Sequence, residues 1–224
     1  MDITSNFDGG NIEVLGPSGP HRMSLAIAKD HQSDFFQWFY FRATGALRAD
    51  CRILIENASE SAYPDGWHNY NVVASYDRQS WFRVPTEYDG TRLIINHRPE
   101  HDVVWYATFA PYSMERHADL IASASVNPLV RIRSIGQSID GQDIDMIEVG
   151  SGGGENGKKI WFIGRQHPGE TMAEWWMEGL LDRLLDTDDP VTRSLLSKAR
   201  FYIIPNMNPD GSRRGHLRTN AAGV

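Results

Sequence analysis

The order of the predicted elements between residues 159 and 205 constrains the fold of this chain most. An apolar strand is predicted at 159–164, followed by an amphipathic helix at 171–185. A second helical stretch at 191–199 leads into another apolar strand at 201–205. A strand, a helix and a strand in this order indicate a βαβ-like crossover within a mixed or parallel sheet.

A histidine and a glutamate three residues apart, His167 and Glu170, lie where the first of these strands runs into its helix. Asn206 lies just past the second strand. Ligands of such sheets bind beyond the carboxyl ends of the strands, so we expect His167 and Asn206 to face one crevice. An imidazole and a carboxylate together make half of a catalytic zinc site. A surface turn is the simpler interpretation of this spacing when it is taken alone.

Residues 1–125 have the pattern of a β region. Short segments rich in aromatic and β-branched residues alternate with turns, which predicts an antiparallel β-sandwich. We therefore divide the chain into an N-terminal β-sandwich domain at 1–125 and a truncated α/β domain with a mixed sheet at 126–224. A flexible glycine-rich loop is predicted at 151–157. Strands of the β region are predicted at 35–42, 51–57, 71–76, 81–84, 92–96 and 102–110.

The composition argues against several classes of function. The net charge is −7 and no basic face is concentrated in the sequence, which argues against nucleic-acid binding. No apolar window approaches the length of a membrane span, and no secretory signal is visible at the N-terminus. The one cysteine, Cys51, rules out an internal disulfide and a cysteine-rich zinc site, and we expect it to pack as a small hydrophobic residue. A cytoplasmic location fits these features.

Two motifs and the β region together resemble the M14 metallocarboxypeptidases, and within them the cytosolic carboxypeptidase subfamily. The first motif is the His-Pro-Gly-Glu turn at 167–170. The second is Asn-Pro-Asp-Gly at 208–211, with Gly215 and Arg218 a short distance downstream. The aromatic strand at 37–42 is similar to part of the β-sandwich that precedes the peptidase domain in that subfamily.

This resemblance implies a zinc-dependent carboxypeptidase that acts on the C-terminus of a peptide or protein. Zn²⁺ would be bound by His167 and Glu170, and Arg218 would stabilise the tetrahedral oxyanion. A guanidinium suits that role because it is a permanent cation with several donors. The family's third zinc ligand, a histidine, and its catalytic glutamate have no counterpart in these residues. We therefore expect a longer parent chain to be the enzyme, and the isolated chain to be inactive and prone to self-association at an open sheet edge.

Two alternatives stay open at this point. One is a non-catalytic β-sandwich interaction module with a peptidase remnant, and the other is a zinc amidohydrolase or deacylase on the same scaffold. Glu174 and Glu178 follow Glu170 at four-residue steps, and we expect them to support the site or face solvent. We expect His216, near Arg218, to lie in an exposed basic loop.

Overall fold

The computed structural model describes residues 1–16, 19, 21–150, 152 and 157–224. These residues form two compact units, one comprising Met1–Pro111 with Arg213–Val224 and the other Tyr112–Ser212. The domain boundary predicted after residue 125 stays a prediction. Most of the predicted loop at 151–157 lies outside the described residues. No helix in the described ranges is long and apolar enough to cross a membrane.

Two five-stranded sheets make up the described part of the first unit. In spatial order, one sheet contains β1 (Asp2–Thr4), β4 (Tyr40–Thr44), β10 (Val103–Ala107), β6 (Val73–Ser75) and β7 (Phe82–Arg83). The other contains β2 (Glu13–Val14), β3 (Met23–Ala26), β5 (Cys51–Ile55), β9 (Leu93–His97) and β8 (Thr86–Tyr88). Short 3-10 helices lie at Ala58–Glu60 and Pro64–Trp67.

Apolar side chains from both sheets form one core, which confirms the predicted β-sandwich. Phe41 and Tyr106 of the first sheet cluster with Ile53 and Ile95 of the second, and all four are fully buried. Cys51 joins this core as a free, buried thiol, as expected. Among the described strands of these two sheets, every pair is antiparallel except β3 with β5. These two run parallel because the chain crosses to the other sheet through β4 before it returns.

The second unit is a mixed sheet with helices. Its strands have the spatial order β11 (Val130–Gln137), β12 (Asp143–Val149), β14 (Ala199–Ile204) and β13 (Lys158–Ile163). The helices are α1 (Met114–Ser125), α2 (Met172–Leu185) and α3 (Pro190–Leu196), and α4 (Pro209–Arg214) follows β14. Strands β13 and β14 pair in parallel and are joined through α2 and α3, so the predicted crossover is confirmed.

Helix α2 packs on the sheet through one apolar face, which differs from the face that the spacing of Met172, Trp176 and Leu180 predicts. Met172 and Trp176 are 45% and 53% exposed. Met177, Leu181 and Leu184 recur at spacings of four and three residues, and each is 3% exposed or less. They cluster with Phe201 and Ile203 of β14. Full burial of each such side chain stabilises the fold by about 1.5–3 kcal/mol, so this face fixes where α2 begins relative to the end of β13.

Candidate functional site

The parallel strands β13 and β14 end side by side, and this places the two predicted motifs at one edge of the sheet. Ile163 pairs with Ile204 at the last step of the ladder. The next residue, Gly164, donates its N–H to the carbonyl of Ile204 at 2.9 Å, and its own carbonyl accepts from Met207 N at 3.0 Å. The segments that follow the two strands are therefore tied together where they leave the sheet.

The side chains of His167 and Glu170 converge within a tight turn. The backbone N–H of Glu170 donates to the carbonyl of His167 at 3.1 Å, and His167 Nδ1 lies 3.1 Å from Glu170 Oε1. Both side chains are accessible, at 29% and 58%. Two ligands of a tetrahedral ion with bonds of about 2.1 Å lie roughly 3.4 Å apart. The two donor atoms are thus close enough to share one metal ion after a small adjustment.

A buried ion pair braces this turn from inside the second unit. Arg165 is 4% exposed and adopts a left-handed backbone conformation with φ of 44°. Its Nε donates to the carbonyl of Pro168 at 3.0 Å, and its Nη1 donates to the carbonyl of Tyr112 at 2.7 Å. Nη1 also pairs with the carboxylate of Glu174, which is fully buried. The arginine therefore connects the middle of the turn to helix α2.

The other partners of Glu174 extend this brace. Its Oε1 lies 2.7 Å from His117 Nδ1, and its Oε2 accepts from Asn206 Nδ2 at 3.1 Å. The far nitrogen of His117 lies 3.5 Å from Asp145 Oδ2. Burial acts to lower the pKa of His117, but the hydrogen bonds and charges of Glu174 and Asp145 outweigh it, so this pKa is raised above its ordinary value.

The sequence left two roles open for Glu174, support of the site or exposure to solvent. The structure shows the first, because Glu174 is fully buried and supports the turn. The contacts of His117, a residue of α1, with Glu174 and Asp145 were not predicted. No regular spacing in the sequence connects His117 to the two motifs. Its position in α1, 57 residues before Glu174, gives no local signal of the contact.

Glu178 supports a neighbouring cluster one helical turn further along α2. Its carboxylate accepts from Arg116 Nε at 2.9 Å, from Arg116 Nη2 at 2.6 Å and from the Tyr112 hydroxyl at 2.8 Å. Burial acts to raise the pKa of Glu178, but these hydrogen bonds outweigh it and lower the pKa. The guanidinium of Arg116 also lies 4.0 Å from the ring centroid of Trp175. Glu178 is therefore a structural anchor between α1 and α2.

The Asn-Pro-Asp-Gly motif forms a helix start. Asn208 Oδ1 accepts from Gly211 N at 3.0 Å and so caps α4, while Pro209 occupies the first helical position. The carboxylate of Asp210 is buried and accepts from Ser138 Oγ at 2.6 Å and from Asp140 N at 3.0 Å. These contacts give the motif a structural role in joining α4 to the turn after β11.

Arg218 belongs to the first unit and is partly exposed there. Its Nη1 donates to the Tyr63 hydroxyl at 3.1 Å, and its guanidinium lies 5.4 Å from the ring centroid of Phe35. The neighbouring His216 is only 6% exposed, so the expectation that it lies in an exposed loop is wrong. Both nitrogens of the buried ring have partners, since Nε2 accepts from His31 N at 3.2 Å and Nδ1 contacts the Thr219 carbonyl at 3.0 Å.

The candidate metal ligands are two residues, His167 and Glu170. Among the residues that the structure describes, no group of three or more His, Cys, Asp or Glu side chains is arranged to hold a metal ion. His167 and Glu170 are thus two donors whose chemistry fits zinc, and their assignment as ligands stays a prediction, as does the catalytic role of Arg218.

Comparison with known proteins gives matches along nearly the whole chain. Residues 3–109 match the cytosolic carboxypeptidase N-terminal domain, and residues 116–223 match the zinc carboxypeptidase domain. A crystal structure of a metallo-carboxypeptidase from Burkholderia cenocepacia superposes with a TM-score of 0.97 and 48% identity, over 100% of this chain and 60% of that one.

Two further relatives are similar over the full length of this chain. The metallo-carboxypeptidase of Pseudomonas aeruginosa, solved in complex with (2-guanidinoethylmercapto)succinic acid, gives a TM-score of 0.96 and 46% identity over 100% of this chain and 60% of its own. An uncharacterized protein of Zymomonas mobilis is 53% identical over 224 residues, which are 58% of its length. This chain therefore spans about three fifths of each relative.

The matched domains occur in the order that the fold shows, a β-sandwich followed by a mixed α/β sheet. The chain belongs to the M14 zinc metallocarboxypeptidase family and matches both the N-terminal domain of the cytosolic carboxypeptidases and the zinc carboxypeptidase domain.

Proposed function

We propose that this chain is part of a zinc-dependent metallocarboxypeptidase that hydrolyses the C-terminal peptide bond of a peptide or protein. One observation carries the proposal: His167 Nδ1 and Glu170 Oε1 converge to 3.1 Å in a turn that a buried ion pair holds in place. Two accessible donors of the types zinc prefers, on a turn between a strand and a helix, suit a catalytic site better than a solvated loop.

Each of these residues has a distinct task in the proposed reaction. His167 and Glu170 hold the metal, and Arg165 keeps the turn between them in one conformation through the carbonyl of Pro168. Zinc, when bound, supplies Lewis-acid activation of a water and of the scissile carbonyl. Arg218 donates hydrogen bonds to the carbonyl oxygen as it gains negative charge, and a permanent cation favours that charge in the transition state.

The ligand of the Pseudomonas aeruginosa relative supports a substrate with a carboxylate. That relative was solved in complex with a succinic acid derivative, which carries two carboxyl groups. A peptide substrate of a carboxypeptidase presents a free C-terminal carboxylate. The shared chemical group favours peptide C-termini over substrates without a carboxylate.

The isolated chain is proposed to be inactive. The described residues supply two metal donors and no third one, and two donors bind zinc weakly. About two fifths of each relative's own length lies outside the match to this chain, which leaves room for the remaining ligand and the general base. The N-terminal domain match to cytosolic carboxypeptidases supports a cytoplasmic location for the parent protein.

The test measures zinc content and hydrolysis together. In the full-length gene product, we expect about one zinc per chain and release of the C-terminal residue from N-blocked dipeptides. His167→Ala and Glu170→Gln should each lose the zinc and the activity, while His21→Ala, at an exposed position in the first unit, should keep both. Stoichiometric zinc and full activity in His167→Ala would refute the assignment.

Two further outcomes separate the alternatives. Hydrolysis of N-acyl amino acids without hydrolysis of dipeptides would indicate a deacylase on the same scaffold. Zinc-dependent cleavage by the isolated chain would refute its proposed inactivity. Absence of zinc and of both activities in the full-length protein would favour a non-catalytic interaction module.

A further inference from the structure

The loop that carries Arg218 is bound by one buried carboxylate of the same compact unit. Asp30, in the segment between β3 and β4, is 3% exposed. Its Oδ1 accepts from Leu217 N at 2.7 Å, and its Oδ2 accepts from Arg218 N at 2.8 Å and from Thr219 N at 2.9 Å. One carboxylate thus binds three successive backbone amides centred on Arg218. Such charge-assisted hydrogen bonds are about twice as strong as neutral ones.

A second set of contacts fixes the entry to this loop. Asn11 Nδ2 donates to the carbonyl of Gly215 at 2.9 Å, while the same side chain bonds Ala28 through both its N–H and its carbonyl. Gly9 N donates to the carbonyl of Arg213 at 2.9 Å. The backbone on the N-terminal side of Arg218 is therefore held by the segment between β1 and β2.

Gly215 allows the loop that carries Arg218 to pack closely against the backbone of Gly9 and Gly10. Its φ is 72°, and a Cβ built on it would lie 2.6 Å from the carbonyl oxygen of Gly10 and 2.7 Å from that of Gly9. No side chain fits at those distances, since contacts below 3.0 Å with backbone atoms require the backbone to move. The close approach brings Leu217, Arg218 and Thr219 within reach of Asp30.

The guanidinium of Arg218 is also held by the first unit. Its Nη1 donates to the hydroxyl of Tyr63, a residue that is 50% exposed, and it lies against the ring of Phe35. Backbone and side chain of Arg218 are thus both restrained by residues that precede the zinc carboxypeptidase match at residue 116.

We propose that Asp30 is a positioning residue for catalysis, which acts by fixing Arg218 in the orientation that stabilises the oxyanion. This inference rests on the proposed function. Stabilising charge that develops in a transition state requires a donor held in place before the reaction, because reorienting it during the reaction costs energy.

The first experiment tests the restraint without using activity. Asp30→Asn removes the charge and one acceptor with little change in shape, and Asp34→Asn, whose side chain is 97% exposed, is the matched control. In the isolated chain, we expect hydrogen exchange at the amides of Leu217, Arg218 and Thr219 to rise at least about 10-fold in Asp30→Asn and to stay unchanged in the control. Unchanged protection in Asp30→Asn would overturn the proposal.

The second experiment is a double-mutant cycle on kcat in the zinc-loaded full-length protein, with N-blocked dipeptides as the probe. We expect Arg218→Lys to lower kcat about 100-fold, and Asp30→Asn to lower it about 10-fold with KM within twofold. Because Asp30 acts through Arg218, the double variant should be no slower than Arg218→Lys. Losses that multiply, or a wild-type kcat in Asp30→Asn, would overturn the inference.

Two safeguards keep the outcomes distinct. A wild-type kcat in Arg218→Lys would refute the proposed role of Arg218 itself, whereas a loss there without one in Asp30→Asn refutes only the role of Asp30. If Asp30→Asn does not fold, Tyr63→Phe replaces it, because Tyr63 is half exposed and loses only a hydroxyl. A lower kcat that disappears in the Arg218→Lys background supports positioning, and a kcat equal to the wild type or a multiplied loss refutes it.

Discussion

The guanidinium of Arg165 is paired with the fully buried carboxylate of Glu174 and donates to the carbonyl of Pro168, in the middle of the turn that carries His167 and Glu170. Through Glu174 the same network reaches His117 of α1 and Asn206 after β14. The conformation of a short surface turn is therefore set by charges in the interior of the second unit.

Replacing Glu174 by Gln should destabilise the second unit strongly. The substitution leaves the guanidinium of Arg165 buried without a counter-charge, and breaking a buried ion pair in this way costs about 3–5 kcal/mol. Urea unfolding of the isolated chain measures the loss. Glu178→Gln, which breaks a partly exposed pair with Arg116, should cost about 1 kcal/mol or less. Equal losses in the two variants would contradict a special role for the buried pair.

The stability of the second unit should depend on pH through His117. Its pKa is raised in the folded protein, so protonated His117 stabilises the fold fully below its unfolded value of about 6.5. This contribution is lost as the pH rises through the folded pKa. We expect the free energy of unfolding to fall over that window by at most about 1.4 kcal/mol per pH unit.

A substitution can show whether His117 causes this fall in the free energy of unfolding with pH. His117→Gln should remove this decline, because no proton is then released on unfolding or taken up on folding at this position. His21→Gln, at an exposed residue whose ring has no buried partner in the described contacts, should leave the slope as it is in the wild type. Parallel curves for the wild type and His117→Gln would show that the decline has another source.

Gly164→Ala should loosen the junction between the two strand ends. An added Cβ would lie 2.8 Å from the carbonyl oxygen of Pro205 and 3.1 Å from Met177 Cε, so the backbone has to shift. We expect the free energy of unfolding in urea to fall by about 1–3 kcal/mol, as for other overpacked sites.

Gly179→Ala in α2 is the control, since nothing lies within 4 Å of its added Cβ. It should raise stability by about 0.5–1 kcal/mol, because alanine favours a helix over glycine. A neutral result for Gly164→Ala would contradict the close approach.

The isolated chain should self-associate through strand β13. This strand is at the edge of the described sheet, and its side chains Trp161 and Ile163 are 53% and 57% exposed. An apolar edge strand with unpaired backbone groups favours pairing with another chain. Sedimentation velocity should show a concentration-dependent shift that Ile163→Lys reduces. Ile139→Lys, at a residue that is 65% exposed and outside any strand, should not reduce it. A monomer at all concentrations would refute the prediction.

Elements with a strong local pattern were predictable from the sequence. The crossover from β13 through α2 to β14 follows from hydrophobic periodicity, and the predicted bounds of these elements agree with the observed ones within a few residues. The strands β1, β2, β3 and β8 were missed, because each has only two to four residues and too few positions to show an alternation.

The sequence by itself determined the family of this protein, the order of its two folds and the His-Pro-Gly-Glu turn, because these depend on residues that are neighbours along the chain. Only the tertiary structure decided which groups hold that turn and the loop of Arg218. Glu174 meets His117 across 57 residues, and Asp30 meets the amide of Arg218 across 188. Contacts of this range leave no spacing in the sequence, since the packing of whole strands and helices brings the partners together. For the same reason His216, which lies in a basic segment, is buried against the sandwich.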